Sequence, residues 1–276
     1  MATIKILFVG DVVGAPGRAM FQKYSDKIKA QYTIDAIIVN GENSSSQGRG
    51  ITSGIVHFFK HNGAQVITSG NHIWAVKEIY AYLNTHHDLL RPANFPNGTP
   101  GSGVTTFMCN GYTVGVVNLL GRVFMRELVS CPFRTIESLL TYLHTKTNII
   151  IVDMHAETTS EKMALAHFVD GKVSAVLGTH THVQTADERI LAGGTAFITD
   201  AGMVGAYNGM LGMKKEPIMQ NFLMQMPVKF AVDDVPPMVL CGVVITIDSS
   251  SGRAVAIERI KIVDEHLKVD STHDEH

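Results

Sequence analysis

The chain has 276 residues, 45% of them apolar and 17% charged, with a formal charge of −2. An apolar share of this size suits a globular protein with a substantial core. The near-neutral charge excludes the strongly basic surface by which proteins hold duplex nucleic acid.

In chain order, the short apolar runs IKILFVG, DAIIVN, AQVITS, NIIIVDM, VSAVLGT and TAFITD read as strands. The amphipathic stretches GRAMFQKYSDKIKAQY and GIVHFFKHNG, between the first of them, read as helices. Continuously apolar strands alternating with helices predict an α/β fold with a largely parallel sheet covered on both faces. Two segments break that rhythm. In VTTFMCNGYTVGVVNLL, Asn110-Gly111 sits between two strand-like runs and predicts a two-residue hairpin. MVLCGVVITIDSSSGRAVAIERIKIV reads as a second hairpin. Antiparallel pieces of this kind imply a mixed sheet, or a second sheet packed on the first. The expected organisation is one domain over residues 1–266, followed by a polar tail over 267–276.

No run approaches the roughly 18 apolar residues of a membrane span. The opening MATIKILFVGD lacks the long apolar region and cleavage site of a signal peptide. Cys109, Cys131 and Cys241 show no paired spacing and read as reduced, apolar residues. These features lead to the expectation of a cytoplasmic protein without membrane partners.

The informative residues follow the strands. Asp11 follows ILFVG, and Glu42 and Asn43 follow IIVN. Asn71 and His72 follow VITSG, His155 follows IIIVDM, and His180 and His182 follow VLGT. In open α/β sheets the carboxyl ends of parallel strands form the ligand crevice. Singly, each residue is an ordinary turn or cap residue. Together they supply two carboxylates, two amides and three imidazoles, with His72 left over and no thiolate. Oxygen and imidazole donors suit Mn, Fe or Zn. Seven ligands with one shared carboxylate would fill two sites, the arrangement used for phosphoryl transfer with ions about 3.5–4 Å apart.

As a set, GDVVG, NGEN, SGNHIW, MHAE and GTHTH resemble, in order and over nearly the whole chain, the calcineurin-like metallophosphoesterase superfamily. Three positions depart from its pattern. Val13 stands where a D-x-H histidine is expected, Glu42 replaces the bridging aspartate, and Ile73 replaces the acid after G-N-H. With GDVVGAPGR, NGENSSSQGRGIT, HAETTSEK and GMVG, these departures look like the YmdB-type branch. The resemblance implies two mixed β-sheets sandwiched between helices, in four layers α/β/β/α. It implies two metal ions, Fe or Mn first and Zn or Mg next. Asp11, Asn43 and His182 would hold the first ion, Glu42 would bridge, and Asn71, His155 and His180 would hold the second. His72, at a helix entry, would protonate the leaving oxygen or stabilise charge at the phosphate. The implied reaction is hydrolysis of cyclic nucleotides, 2′,3′-cyclic ones favoured, by in-line attack of a metal-bridging hydroxide. A homo-oligomer is the implied assembly.

Asp153, Glu157 and Asp187 are candidate acceptors behind the imidazoles. Arg18 reads as a solvated arginine at a helix start, and the GAPGR and GMVG glycines either approach a phosphate or make turns. The run SSSQGRG reads as a mobile loop shaping access. Two other readings stay open at this point. One is a phosphomonoesterase or protein phosphatase of the same superfamily. The other is a non-catalytic, nucleotide-sensing regulatory protein.

Overall fold

A computed structural model of the protein describes residues 2–269. The elements run β1 (Thr3–Val9), β2 (Asp11–Val12), α1 (Gly14–Tyr32), β3 (Ala36–Asn40), α2 (Ser53–His61), β4 (Ala64–Thr68), α3 (Ile79–Thr85), β5 (Val104–Cys109) and β6 (Tyr112–Leu120). They continue with α4 (Pro132–Leu143), β7 (Ile149–His155), α5 (Thr159–Phe168), β8 (Ala175–Thr179), β9 (Arg189–Ile190), β10 (Ala196–Ile198), β11 (Met203–Ala206), α6 (Lys215–Met224), β12 (Met238–Asp248) and β13 (Ala254–Asp264).

The described residues form two sheets. The first has the order β2-β11-β12-β1-β3-β4, with β13 also paired to β12; the second has the order β5-β6-β7-β8-β10-β9. In the first, β1, β3 and β4 are parallel, and β12 enters antiparallel to β1, from Thr3↔Asp248 to Val9↔Gly242. In the second, β6, β7, β8 and β10 are parallel, with β5 and β9 as antiparallel edges. Both expected hairpins form. Asn110 and Gly111 have φ of 48° and 84°, the two positive values that a type I′ turn needs.

Three apolar clusters define the layers. Ile6, Phe8 and Ile38 of the first sheet meet Val116, Ile151 and Leu177 of the second in a core between the sheets. Leu7, Val9 and Val39 pack on the other face against Met20, Phe21 and Phe59 of α1 and α2. Val117, Ile150 and Val152 pack outward against Ile136, Leu140 and Leu165 of α4 and α5. The result is α/β/β/α, as the resemblance implied. It explains why β3, β7 and β8 are buried at every residue and carry no alternation.

Leu267 is buried against the first helical core and Val269 packs on it, inside the stretch expected as a polar tail. Residues 270–276 of that tail lie outside the described residues. Among the described residues no helix is long and apolar enough to cross a membrane.

Candidate metal centre

The parallel strands of both sheets deliver their carboxyl ends to one crevice. Asp11 opens β2 just past β1, Glu42 and Asn43 follow β3 and Asn71 follows β4; His155 is the last residue of β7, and His180 and His182 follow β8. Asp11, Glu42, Asn43 and His155 are buried.

Four acceptor atoms crowd together at the second-metal position. Glu42 Oε1, Asn71 Oδ1 and His180 Nδ1 each lie 3.1 Å from His155 Nε2. The protons on both rings are fixed from behind. Thr179 Oγ1 donates to Asp153 Oδ1 at 2.6 Å, so His155 Nδ1 donates to Thr179 Oγ1 at 2.9 Å and its Nε2 holds a lone pair. His180 Nε2 donates to Glu157 Oε2 at 3.1 Å, leaving Nδ1 as a lone pair. Lone pairs meeting without an intervening proton repel one another, and a cation among them removes that cost. Burial pushes both His155 and His180 down to about 4, so both rings are neutral and able to ligate at physiological pH.

The first position is assembled in the same way. Asp11 Oδ2 accepts from His180 N at 3.1 Å, whereas Oδ1 is buried without any hydrogen-bond partner among the described residues. That orphaned oxygen faces His182 Nε2 at 3.7 Å. His182 Nδ1 donates to the Leu211 carbonyl at 3.0 Å, which leaves Nε2 as the acceptor. The Asn43 amide nitrogen lies 3.2 Å from Glu42 Oε1 and 3.1 Å from His182 Nε2, so its hydrogens occupy the place of a positive charge. Burial raises the Asp11 carboxyl above the usual carboxylate range, against the opposing pull of His182 and His155. The donor set fits two cations.

His72 does not start a helix. It lies in a run of turns, and α3 begins only at Ile79. The turns let His72 N donate to Glu42 Oε2 at 3.1 Å and let Trp74 pack against Tyr80 and Phe95. The His72 ring donates from Nδ1 to Asn43 Oδ1 at 2.7 Å and is partly exposed at the crevice. Gly70 has a steric reason: a Cβ there would collide with the His155 ring and Glu42 Oε2.

His180 and His182 have φ of 99° and 63°, in the left-handed region that costs a non-glycine residue about 1–3 kcal/mol. The turn is held by Asp200, which accepts from Thr181 N at 3.0 Å and from Thr181 Oγ1 at 2.7 Å. Asp200 pairs with Lys162 Nζ at 2.9 Å, both side chains fully buried. This pair is absent from the residues read from sequence. Its signal was that Asp200 ends TAFITD, a sixth strand finishing in an acid. Lys162→Met should cost about 3–5 kcal/mol, because it strands a buried carboxylate. Urea unfolding of the metal-free protein checks this, and a midpoint shift worth under about 1 kcal/mol would contradict it.

The remaining expectations divide. Glu157 and Asp153 do stand behind His180 and His155. Asp187 does not serve an imidazole; it accepts from Thr185, Thr199 and Arg189. Arg18 is buried rather than solvated and donates to the Ser44 carbonyl. The GMVG glycines are structural. Gly202 N donates to Asp200 Oδ1 at 2.8 Å, and Gly205 lies within β11. The SSSQGRG loop is tied by Ser45 N to Gly50 O at 2.9 Å and Gly48 N to Ser45 O at 2.8 Å, and it presents Arg49 at the crevice.

Comparison with known proteins agrees with this geometry. Residues 7–260 match the model of the family described as YmdB-like protein. A Bacillus subtilis (strain 168) protein named 2′,3′-cyclic-nucleotide 2′-phosphodiesterase is 49% identical over 264 residues, 96% of this chain and 99% of the relative. The crystal structure of a novel phosphatase from Mycoplasma pneumoniae superposes with a TM-score of 0.90 at 35% identity, covering 96% of this chain and 95% of that one. A hypothetical protein from Thermus thermophilus superposes with a TM-score of 0.88 at 36% identity, covering 95% of this chain and 100% of that one. With seven metal-type donors brought to one crevice and the match spanning nearly its whole length, the chain belongs to the YmdB-like family.

Proposed function

We propose that the chain is a dinuclear-metal phosphodiesterase that opens 2′,3′-cyclic nucleotides. The observation that carries this reading is the convergence of proton-free acceptor atoms at two adjacent positions, one of them the orphaned Asp11 Oδ1. The name of the Bacillus subtilis relative supports the substrate class.

Asp11, Asn43 and His182 would hold one ion and Asn71, His155 and His180 the other, with Glu42 between them. Cations bound there would lower the pKa of water towards neutrality and offset charge on the phosphate. The oxygen and imidazole donors favour Fe or Mn, and Zn or Mg is also compatible.

The chain's own residues do the rest. Turning the Asn43 amide over would bring Oδ1 to Glu42 and His182 as a ligand atom, and Nδ2 to His72 Nδ1 as a donor. The His72 proton would then reside on Nε2, on a ring that borders the crevice. A ring kept neutral by burial can thus still donate to the departing ribose oxygen. Thr179, Asp153 and Glu157 keep the ligating rings oriented.

Residues 1–266, together with Leu267 and Val269 that pack on the core, would act as one domain, in the cytoplasm, as a homo-oligomer whose mass light scattering checks. The assay is hydrolysis of 2′,3′-cyclic AMP by metal-loaded protein beside p-nitrophenyl phosphate. Preference for the diester is expected. Faster turnover of the monoester would favour a phosphomonoesterase, and tight nucleotide binding without turnover a sensor.

A further inference from the structure

Two clefts leave the metal centre, and they differ in chemistry. The first, about 320 Å³, is walled by apolar side chains including Met210, Leu211, Ile218 and Phe230. The second, about 330 Å³, is lined by Arg49, Arg126, Phe124 and Glu127. Both include Arg49, His72 and His180, so a ligand seated at the ions can extend into each. Each volume is at the low end for a small-ligand site. One nucleoside with its cyclic phosphate needs only one of them.

The second cleft has the make-up of a single-strand nucleic-acid groove. Phe124 is 86% exposed and has φ of 60°, a conformation that a bulky side chain adopts at a cost. Burial does not repay that cost, because the ring stands in solvent at the cleft. Arg49 and Arg126 are exposed, and their two positive charges outweigh the one carboxylate of Glu127. An exposed aromatic ring and guanidinium groups lining one cleft are the pairing on which a base stacks while its phosphate is gripped.

We propose that the preferred substrate is the 3′ end of a single-stranded oligoribonucleotide closed as a 2′,3′-cyclic phosphate. This rests on the phosphodiesterase reading above. The terminal base enters the apolar cleft. The phosphodiester to the preceding nucleotide lies between Arg49 and Arg126, and the preceding base stacks on Phe124. In the reaction, water adds to phosphorus, the P–O2′ bond breaks and O2′ takes a proton, leaving a 3′-phosphate and a free 2′-hydroxyl. Such ends are made by RNA cleavage through attack of a 2′-hydroxyl on the neighbouring phosphate, so reactions of that class must supply the substrate. The near-neutral net charge is no obstacle, because two nucleotides need only a local pair of cations.

The test compares kcat/KM for the dinucleotide ApA 2′,3′-cyclic phosphate with that for 2′,3′-cyclic AMP in metal-loaded protein. The expected ratio in the parent protein is about tenfold or more, as one stacked base and one gripped phosphate supply. Phe124→Ala and Arg126→Ala, both at exposed positions, should each lower that ratio at least about fivefold. A ratio near one in the parent protein, or a ratio unchanged in both variants, would overturn the proposal while leaving the phosphodiesterase reading standing. Failure to turn over either compound would overturn that reading itself.

Discussion

Glu42→Ala is expected to lower kcat/KM for 2′,3′-cyclic AMP by about a thousandfold or more, with loss of bound metal. Glu42 Oε1 lies 3.1 Å from His155 Nε2 and 3.2 Å from Asn43 Nδ2, so one oxygen serves both donor sets. Its Oε2 fixes the backbone of His72 at 3.1 Å. Among the described residues no other carboxylate takes part in both positions. Cations in such sites contribute several kcal/mol of transition-state stabilisation, and each ~1.4 kcal/mol is tenfold in rate. Burial above all, and the neighbouring Glu42 charge besides, raise the Asp11 carboxyl, so removing Glu42 relieves a repulsion between buried carboxylates while it also removes acceptors for His72 N and Asn43 Nδ2. A melt of the metal-free variant beside the metal-free parent separates loss of metal from loss of fold. Turnover within about tenfold of the parent, at full metal content, would contradict the assignment of Glu42.

His72→Ala should act differently. Metal content should be retained, because the ring does not belong to either donor set, while kcat falls by about 10²–10⁴-fold. The loss should depend on the leaving group. A ribose oxygen needs a proton as it departs, whereas p-nitrophenolate leaves without one. With bis-p-nitrophenyl phosphate the defect should therefore shrink to about tenfold or less. Equal losses on both substrates would show that His72 does not serve the leaving oxygen. Burial lowers the His72 ring below the usual histidine range, so in the proposed reaction His72 would work as a neutral donor, with the orientation of Asn43 deciding which nitrogen carries the proton.

The strand-end pattern was legible because it is local. A buried parallel strand writes itself as a continuous apolar run, and whatever follows it must be at the sheet's carboxyl edge. Asp11, Glu42, Asn71, His155 and His180 could be placed on that basis. The two Asn110-Gly111 positive φ values were equally local. What could not be read depends on distant contacts. Lys162 sits on α5 with nothing nearby in sequence to announce Asp200, 38 residues on. The carbonyl that fixes the His182 tautomer belongs to Leu211, 29 residues away. Asp187 resembled an acceptor for the imidazoles beside it, yet its carboxylate is absorbed by Thr185, Thr199 and Arg189. His72 looked like a helix-entry residue because Gly-Asn-His is good capping chemistry. The chain uses the turns to reach Glu42 instead. The second cleft was invisible because Phe124 and Arg126 lie between β6 and α4 and meet Arg49 only in three dimensions.

The most direct measurement is a metal titration of chelator-stripped protein, following hydrolysis of 2′,3′-cyclic AMP against ions bound per chain. A dinuclear centre predicts negligible activity in the stripped protein and a rise that saturates at two ions per chain. Activity that persists without metal, or that saturates at one ion, would contradict it.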